Sequence, residues 1–442
     1  MLLSVSSFSV TGKCSFSGNI RIPGDKSISH RAVILAALAD GRSIIHDLLE
    51  SADVLATITA FRHLGVRIKG PKESTLWVDG VGMNGLSPPG NRLDMGNSGT
   101  AMRLLAGVLA GQHFSATLVG DTSLSQRPMG RIIEPLTRMG ASIGSSPGGT
   151  PPLEIRPVNK LRGLDYSVPM ASAQVKSAIL LAGLYADGTT CVRESAITRD
   201  HTERMLAGFK YSGGLYEHPA MVEGGGRLSG CDVIVPGDLS SAAFFLVGAT
   251  ISEGSSVRLE NIGVNRTRSG ILDILITMGA DIRVESKRMV CGEEVADLIV
   301  RHSPLNGISI DPELVSRSID EFPAIAIAAA CAKGNTTIRG AEELRVKETD
   351  RIIAIVKGLK ALGVQVVELE DGMVITGGEL RGGDVNSHQD HRIAMAFSIA
   401  GAATKGNVYI EDCGNVETSF PNFVSEAAGS GLNIVERFGE SE

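Results

Sequence analysis

A helix opens with backbone N–H groups that have no partner inside the helix, and its aligned peptide dipoles add about half a positive charge. Its first turns therefore suit anions and disfavour Lys or Arg. This sequence nonetheless places cations there again and again. Pro23-Gly24-Asp25-Lys26-Ser27-Ile28-Ser29-His30-Arg31 opens one apolar run with Lys26, Ser27 and Arg31. A second opening carries Asn97, Ser98, Thr100 and Arg103, and a third carries Ser172, Gln174 and Lys176. Acids, Asp320 and Glu321, stand at a fifth, and Asp390-His391-Arg392 opens a sixth. The pattern points to an enzyme that grips phosphorylated, anionic small molecules.

Two further clusters fit that chemistry. In Arg345-Val346-Lys347-Glu348-Thr349-Asp350-Arg351 the spacing puts Lys347 and Arg351 at i,i+4 on one helical face, with Glu348 beside it. The plainer alternative is a solvated helix with Lys347 paired to Asp350. Arg127 stands on a loop before a helix opened by Pro128, and alone it would read as a surface arginine. His388, Asp390 and His391 match no standard metal-ligand spacing, so no metal is expected. Ser29-His30 reads as structural. The sequence contains no G-x-S-x-G, no Walker A loop and no dinucleotide-type glycine motif after a strand.

The elements that position these residues repeat. The openings at 23, 95, 170, 236, 319 and 389 each lead into an apolar helix, a Gly stop, a β-branched strand, a second helix and another Gly. This predicts a βαβαββ-like unit six times over, in two lobes of three. Pro-Gly-Asp recurs at 23–25 and 236–238, which sets the expected lobes at 24–236 and at 1–23 plus 237–442.

Composition narrows the partners. Aromatics are 4% and the net charge is -7, with no polybasic run, so nucleic acid and anionic membranes are not expected. Six scattered cysteines without a C-x-x-C pair read as reduced thiols in a cytosol. Met1-Leu2-Leu3-Ser4-Val5 lacks a leader's basic region, and no stretch of about 18 apolar residues occurs. A cytoplasmic monomer is expected.

Together, PGDKSISHR, GNSGTAMR, RPMGRI, RVKETDR and DHRIAMAF, spread from about residue 20 to 425, resemble the EPSP synthase family of enolpyruvyl transferases. The resemblance implies an α/β fold of two similar lobes, each of three βαβαββ units, an inside-out α/β barrel joined by two crossover strands. It implies transfer of the enolpyruvyl group from phosphoenolpyruvate to the 5-hydroxyl of shikimate 3-phosphate, a step toward chorismate and the aromatic amino acids. Carried over by position, shikimate 3-phosphate would meet Lys26, Ser27, Arg31, Ser172, Ala173, Gln174, Arg199, Asp320 and Lys347. Phosphoenolpyruvate would meet Lys26, Asn97, Gly99, Arg103, Arg127, Gln174, Arg351 and Arg392. Asp320, Glu348, Lys347 and Lys26 would be catalytic, with Asp320 accepting the hydroxyl proton. The two substrates bring about five to six negative charges near neutral pH, which these cations offset. Proton transfer and oxyanion stabilisation suffice for such chemistry, so no cofactor is implied.

The sequence also departs from the family's better-known branch. Thr418 stands where that branch has Lys, and Glu343 where it has Asn. Met170–Gln174 and Arg199–Thr202 resemble a more divergent bacterial branch. That branch includes members that tolerate glyphosate, a trait often linked to Ala where Gly99 stands here. A sister enzyme acting on UDP-N-acetylglucosamine typically has Lys-Asn at the first opening and a Cys before Arg-Pro. Here those positions hold Lys26-Ser27 and the Cys-free loop GDTSLSQRP. A sixfold DNA clamp would need a basic lining repeated in every unit, and the openings instead differ from one another.

Overall fold

Six apolar runs fold as central helices: Lys26–Leu38, Gly99–Ala110, Ala173–Gly183, Leu239–Ile251, Phe322–Cys331 and His391–Gly401. The structure is a computed structural model and describes residues 6–217 and 219–438. Residues 1–5, read above as lacking a leader's basic region, lie outside the described residues. Four helices start on capping side chains. Asp25 accepts from Ile28 N, Ser98 from Ala101 N, Asp238 from Ser240 N, and Asp390 from Arg392 N. Beyond the first two turns these helices are apolar on nearly every face, which is what full burial requires. In Leu239–Ile251 only the last residue is not buried.

Each central helix leads into a strand that anchors one small sheet. These strands are Asp40–His46, Ala116–Val119, Thr189–Glu194, Ser256–Gly263, Asn335–Ile338 and Asn407–Glu411. On one side each meets a parallel neighbour, reduced to the bridge Ser309↔Thr337 in the fifth sheet. On the other side it pairs with an antiparallel strand, as in Ile44↔Trp77 and Val192↔Ala220. A second helix, such as Ala52–His63 or His201–Gly208, follows before the sheet is completed. The order βαβαββ thus recurs six times. In the sixth sheet the strand at the chain's start, Ser6–Thr11, supplies the antiparallel partner, with Phe8 opposite Ile410.

The chain forms two compact units. One holds Gly24–Pro236 and Met289–Glu293, with a core that includes Val33, Phe61, Leu105 and Ile179. Its central helices touch closely: a Cβ on Gly107 would fall 2.3 Å from the Ala178 carbonyl oxygen, so only Gly fits there. The other holds the chain up to Pro23, Gly237–Arg288 and the chain from Glu294 onward, around Phe245, Ile327, Ile355 and Phe397.

The repeated Pro-Gly-Asp also has a packing cause. A Cβ on Gly24 would stand 2.1 Å from the Asp47 carbonyl oxygen, and one on Gly237 would stand 2.9 Å from Ile262 Cδ1. Among the described residues no helix is long and apolar enough to cross a membrane.

Candidate active site

In the unit Gly24–Pro236, three helix openings bring polar side chains together. Gln174 sits at the start of Ala173–Gly183; its Oε1 accepts from Arg103 NH1 at 2.6 Å and its Nε2 donates to Thr100 Oγ1 at 2.9 Å. Arg127 NH2 donates to Asn97 Oδ1 at 2.7 Å, while Asn97 Nδ2 donates to Asp121 Oδ2 at 2.8 Å. Gly99 lies between the two arginines, since a Cβ there would be 2.9 Å from Arg103 NH1 and 3.5 Å from Arg127 NH1. Lys26 pairs with Asp53, from the first turn of Ala52–His63.

Arg31 is the deepest of these cations, at 3% exposure. Its Nε donates to Thr202 Oγ1 at 2.7 Å, its NH2 to Ser177 Oγ at 2.6 Å and its NH1 to the Ser27 carbonyl at 2.9 Å. Ser177 in turn donates to the Ala173 carbonyl at 2.7 Å. Burial lowers the Arg31 pKa to about 10; Glu203 and Asp25 oppose that shift and the nearby charge of Arg199 adds to it. This cation is under-compensated, so an anion placed beside it would be stabilised.

The other unit has the opposite balance. Asp320, just before Phe322–Cys331, has Lys347 Nζ at 3.4 Å, Arg351 NH1 at 3.4 Å and Arg392 NH2 at 4.0 Å. Arg392 NH1 also donates to the Asp320 carbonyl at 3.3 Å. Arg351, 1% exposed, carries Asp390 on Nε at 2.7 Å and Glu348 on NH2 at 2.7 Å. Burial would lower its pKa, but the three carboxylates Asp390, Glu348 and Asp320 outweigh burial and raise it. Lys347 follows the same rule, with Asp320 and Glu343 overcoming desolvation to raise its pKa. It therefore stays protonated at neutral pH.

The predicted residues thus fall into two groups. Lys26, Ser27, Arg31, Asn97, Gly99, Arg103, Arg127, Ser172, Ala173, Gln174 and Arg199 lie in one unit, and Asp320, Lys347, Glu348, Arg351 and Arg392 in the other. One geometric expectation is corrected. Lys347 and Arg351 share no helical face, because the helix begins at Arg351 with Asp350 as its cap, and Lys347 follows the short turn Glu342–Val346. They meet on Asp320 instead. Lys347 also pairs with Glu343 at 3.1 Å, and Asp350 pairs with Arg345 rather than Lys347.

Lys176 is a second correction. Its cationic charge at a helix opening is met by Glu194 and Glu203 inside the protein. Thr418 donates to the Asn415 carbonyl at 2.7 Å and is 7% exposed, so it brings no cation in place of the Lys it replaces. The sequence does not show Asp53 as the partner of Lys26, and it places Asp390 at a helix opening without showing it as the partner of Arg351. For Asp390 a signal was present: an acid directly before a helix-opening His-Arg is a cap.

Comparison with known proteins finds relatives over nearly the whole chain. The family model described as EPSP synthase (3-phosphoshikimate 1-carboxyvinyltransferase) matches residues 10–426. A 3-phosphoshikimate 1-carboxyvinyltransferase of Alkalilimnicola ehrlichii is 57% identical over 418 residues, covering 94% of each chain. One of Acidithiobacillus ferrooxidans is 59% identical over 417 residues, covering 94% of this chain and 95% of the relative. A solved EPSP synthase of Acinetobacter baumannii superposes with a TM-score of 0.88 at 49% identity, covering 98% of this chain and all of that one.

Proposed function

This chain belongs to the EPSP synthase family, and from that premise we propose that it transfers the enolpyruvyl group of phosphoenolpyruvate to the 5-hydroxyl of shikimate 3-phosphate, releasing phosphate. The observation that carries the reading is the convergence of Lys347, Arg351 and Arg392 on Asp320. In the reaction the acceptor oxygen bonds to C2 of phosphoenolpyruvate. The hydroxyl gives up a proton and the methylene carbon gains one. Departure of phosphate with loss of a methyl proton then restores the double bond. Such a sequence needs a general base for the hydroxyl and a general acid for the methylene carbon, held near one another. Asp320 takes the hydroxyl proton, and Lys347 with Glu348 handles the proton at carbon.

The remaining assignments follow charge. Lys26, Ser27, Arg31, Ser172, Ala173, Gln174 and Arg199, with Asp320 and Lys347, are assigned to shikimate 3-phosphate. The under-compensated Arg31 supports this reading. Lys26, Asn97, Gly99, Arg103, Arg127, Gln174, Arg351 and Arg392 are assigned to phosphoenolpyruvate, whose carboxylate and phosphate suit the flat donor fork of arginine. Incubating the purified chain with phosphoenolpyruvate and either shikimate 3-phosphate or UDP-N-acetylglucosamine tests the reading. Phosphate release and an enolpyruvyl product are expected with shikimate 3-phosphate. Turnover with the sugar nucleotide alone would overturn the assignment.

A further inference from the structure

Arg199 sits on an irregular connection between the strand Thr189–Glu194 and the helix His201–Gly208. A single ammonium fixes three points of that stretch. Lys176, in the second turn of Ala173–Gly183, has a side chain only 3% exposed. Its Nζ lies 2.9 Å from Glu194 Oε2, before Arg199, and 3.0 Å from Glu203 Oε1, after it. It also donates to the carbonyl of Thr198, the residue next to Arg199, at 3.4 Å. Thr198 Oγ1 closes the clamp by donating to the other oxygen of Glu194.

The next residue on the helix, Ser177, holds Arg31 from the same turn. It also accepts from Thr202 Oγ1 at 2.8 Å, which ties in the helix that follows the Arg199 connection. Lys176 is therefore buried and turned toward two acids. Burial lowers its pKa, yet Glu203 and Glu194 outweigh burial and raise it, so the clamp stays charged.

We infer that Lys176 is a positioning residue: by clamping Glu194, Thr198 and Glu203 it sets where Arg199 stands relative to Arg31, and so sets affinity for the phosphate of the acceptor. The inference rests on the assignment of Arg199 to shikimate 3-phosphate proposed above. A residue that only held the fold would lower Tm or the active fraction and leave both KM values of the surviving enzyme unchanged. A positioning residue changes one KM.

The test is steady-state kinetics of the full chain for Lys176→Met, Arg199→Ala and the double variant, with each substrate varied separately. Lys176→Met is expected to raise KM for shikimate 3-phosphate about tenfold, with kcat and KM for phosphoenolpyruvate within about threefold. In the Arg199→Ala background the same change is expected to alter that KM by less than about twofold, because the residue it places is gone. An unchanged acceptor KM in Lys176→Met, or effects that multiply in full in the double variant, would overturn the inference while leaving Arg199 assigned. No effect of Arg199→Ala would remove Arg199 from the acceptor site and the inference with it. Should Lys176→Met fail to fold, Glu194→Gln removes one arm of the clamp. It is expected to raise the acceptor KM about threefold with the same coupling to Arg199, and full multiplication there would overturn the inference equally.

Discussion

His30 should make this protein less stable in mild acid. It lies in the central helix Lys26–Leu38 and is fully buried, with Nδ1 2.8 Å from Thr57 Oγ1 on Ala52–His63. Its Nε2 has no hydrogen-bond partner among the described residues. Burial, reinforced by the positive charges of Lys26 and Arg31, holds its pKa well below the ordinary 6.5. The folded ring therefore stays neutral where the unfolded chain protonates it. Below pH 6.5 the unfolded state binds the extra proton, so stability falls as pH falls; well above 6.5 the contribution is constant. For a ring that stays neutral when folded, the loss is about 0.4 kcal/mol at pH 6.5 and about 1.4 kcal/mol at pH 5.5. His30→Gln keeps a polar group for Thr57 and cannot titrate. Urea unfolding of both chains at pH 7.5, 6.5 and 5.5 should give free energies whose difference shifts by about 1.4 kcal/mol across the range. Parallel pH curves would mean that the buried ring ionises without penalty, and the reasoning would fail.

Gly99→Ala should separate folding from affinity. Gly99 is the first residue of its helix, and the new Cβ would stand 2.9 Å from Arg103 NH1, a side-chain end that can shift. Tm should hold or rise slightly, since Ala is a better helix former by up to about 1 kcal/mol. KM for phosphoenolpyruvate should rise about tenfold, and an unchanged KM would exclude Arg103 and Arg127 as its ligands. Asp320→Asn should lower kcat by about a hundredfold or more with a smaller change in acceptor KM, measured by phosphate release. A wild-type rate would strike Asp320 from the catalytic residues.

The repeat was legible because its signals are local. A cap, an apolar helix body, a Gly stop and a β-branched strand are all read within about twenty residues, and Asp25, Ser98, Asp238 and Asp390 each cap a helix where the sequence placed an opening. What local reading could not supply was the anion that answers each cation. At Lys176 the cost of a cation near a helix start was read correctly, but the charges that offset it come from Glu194 and Glu203, 18 and 27 positions away. The Lys347–Arg351 spacing failed for a related reason. Asp350 is a good cap, so it starts a helix between the two residues that the i,i+4 pattern needed inside one.

That same non-local accounting separates the two clusters in kind. Arg31 has its pKa lowered to about 10, so burial exceeds the compensation its surroundings provide, and a bound anion would supply what is missing. Arg351 is shifted the other way by three carboxylates, so its surroundings already hold more negative charge than one guanidinium needs. A cluster short of anions favours binding them. Carboxylates around protonated groups suit proton transfer, the role proposed for Asp320, Lys347 and Glu348 beside Arg351. The sequence shows Arg in both places and cannot distinguish them; the distinction lies in Asp320, Glu348 and Asp390, which reach Arg351 from three separate openings and turns.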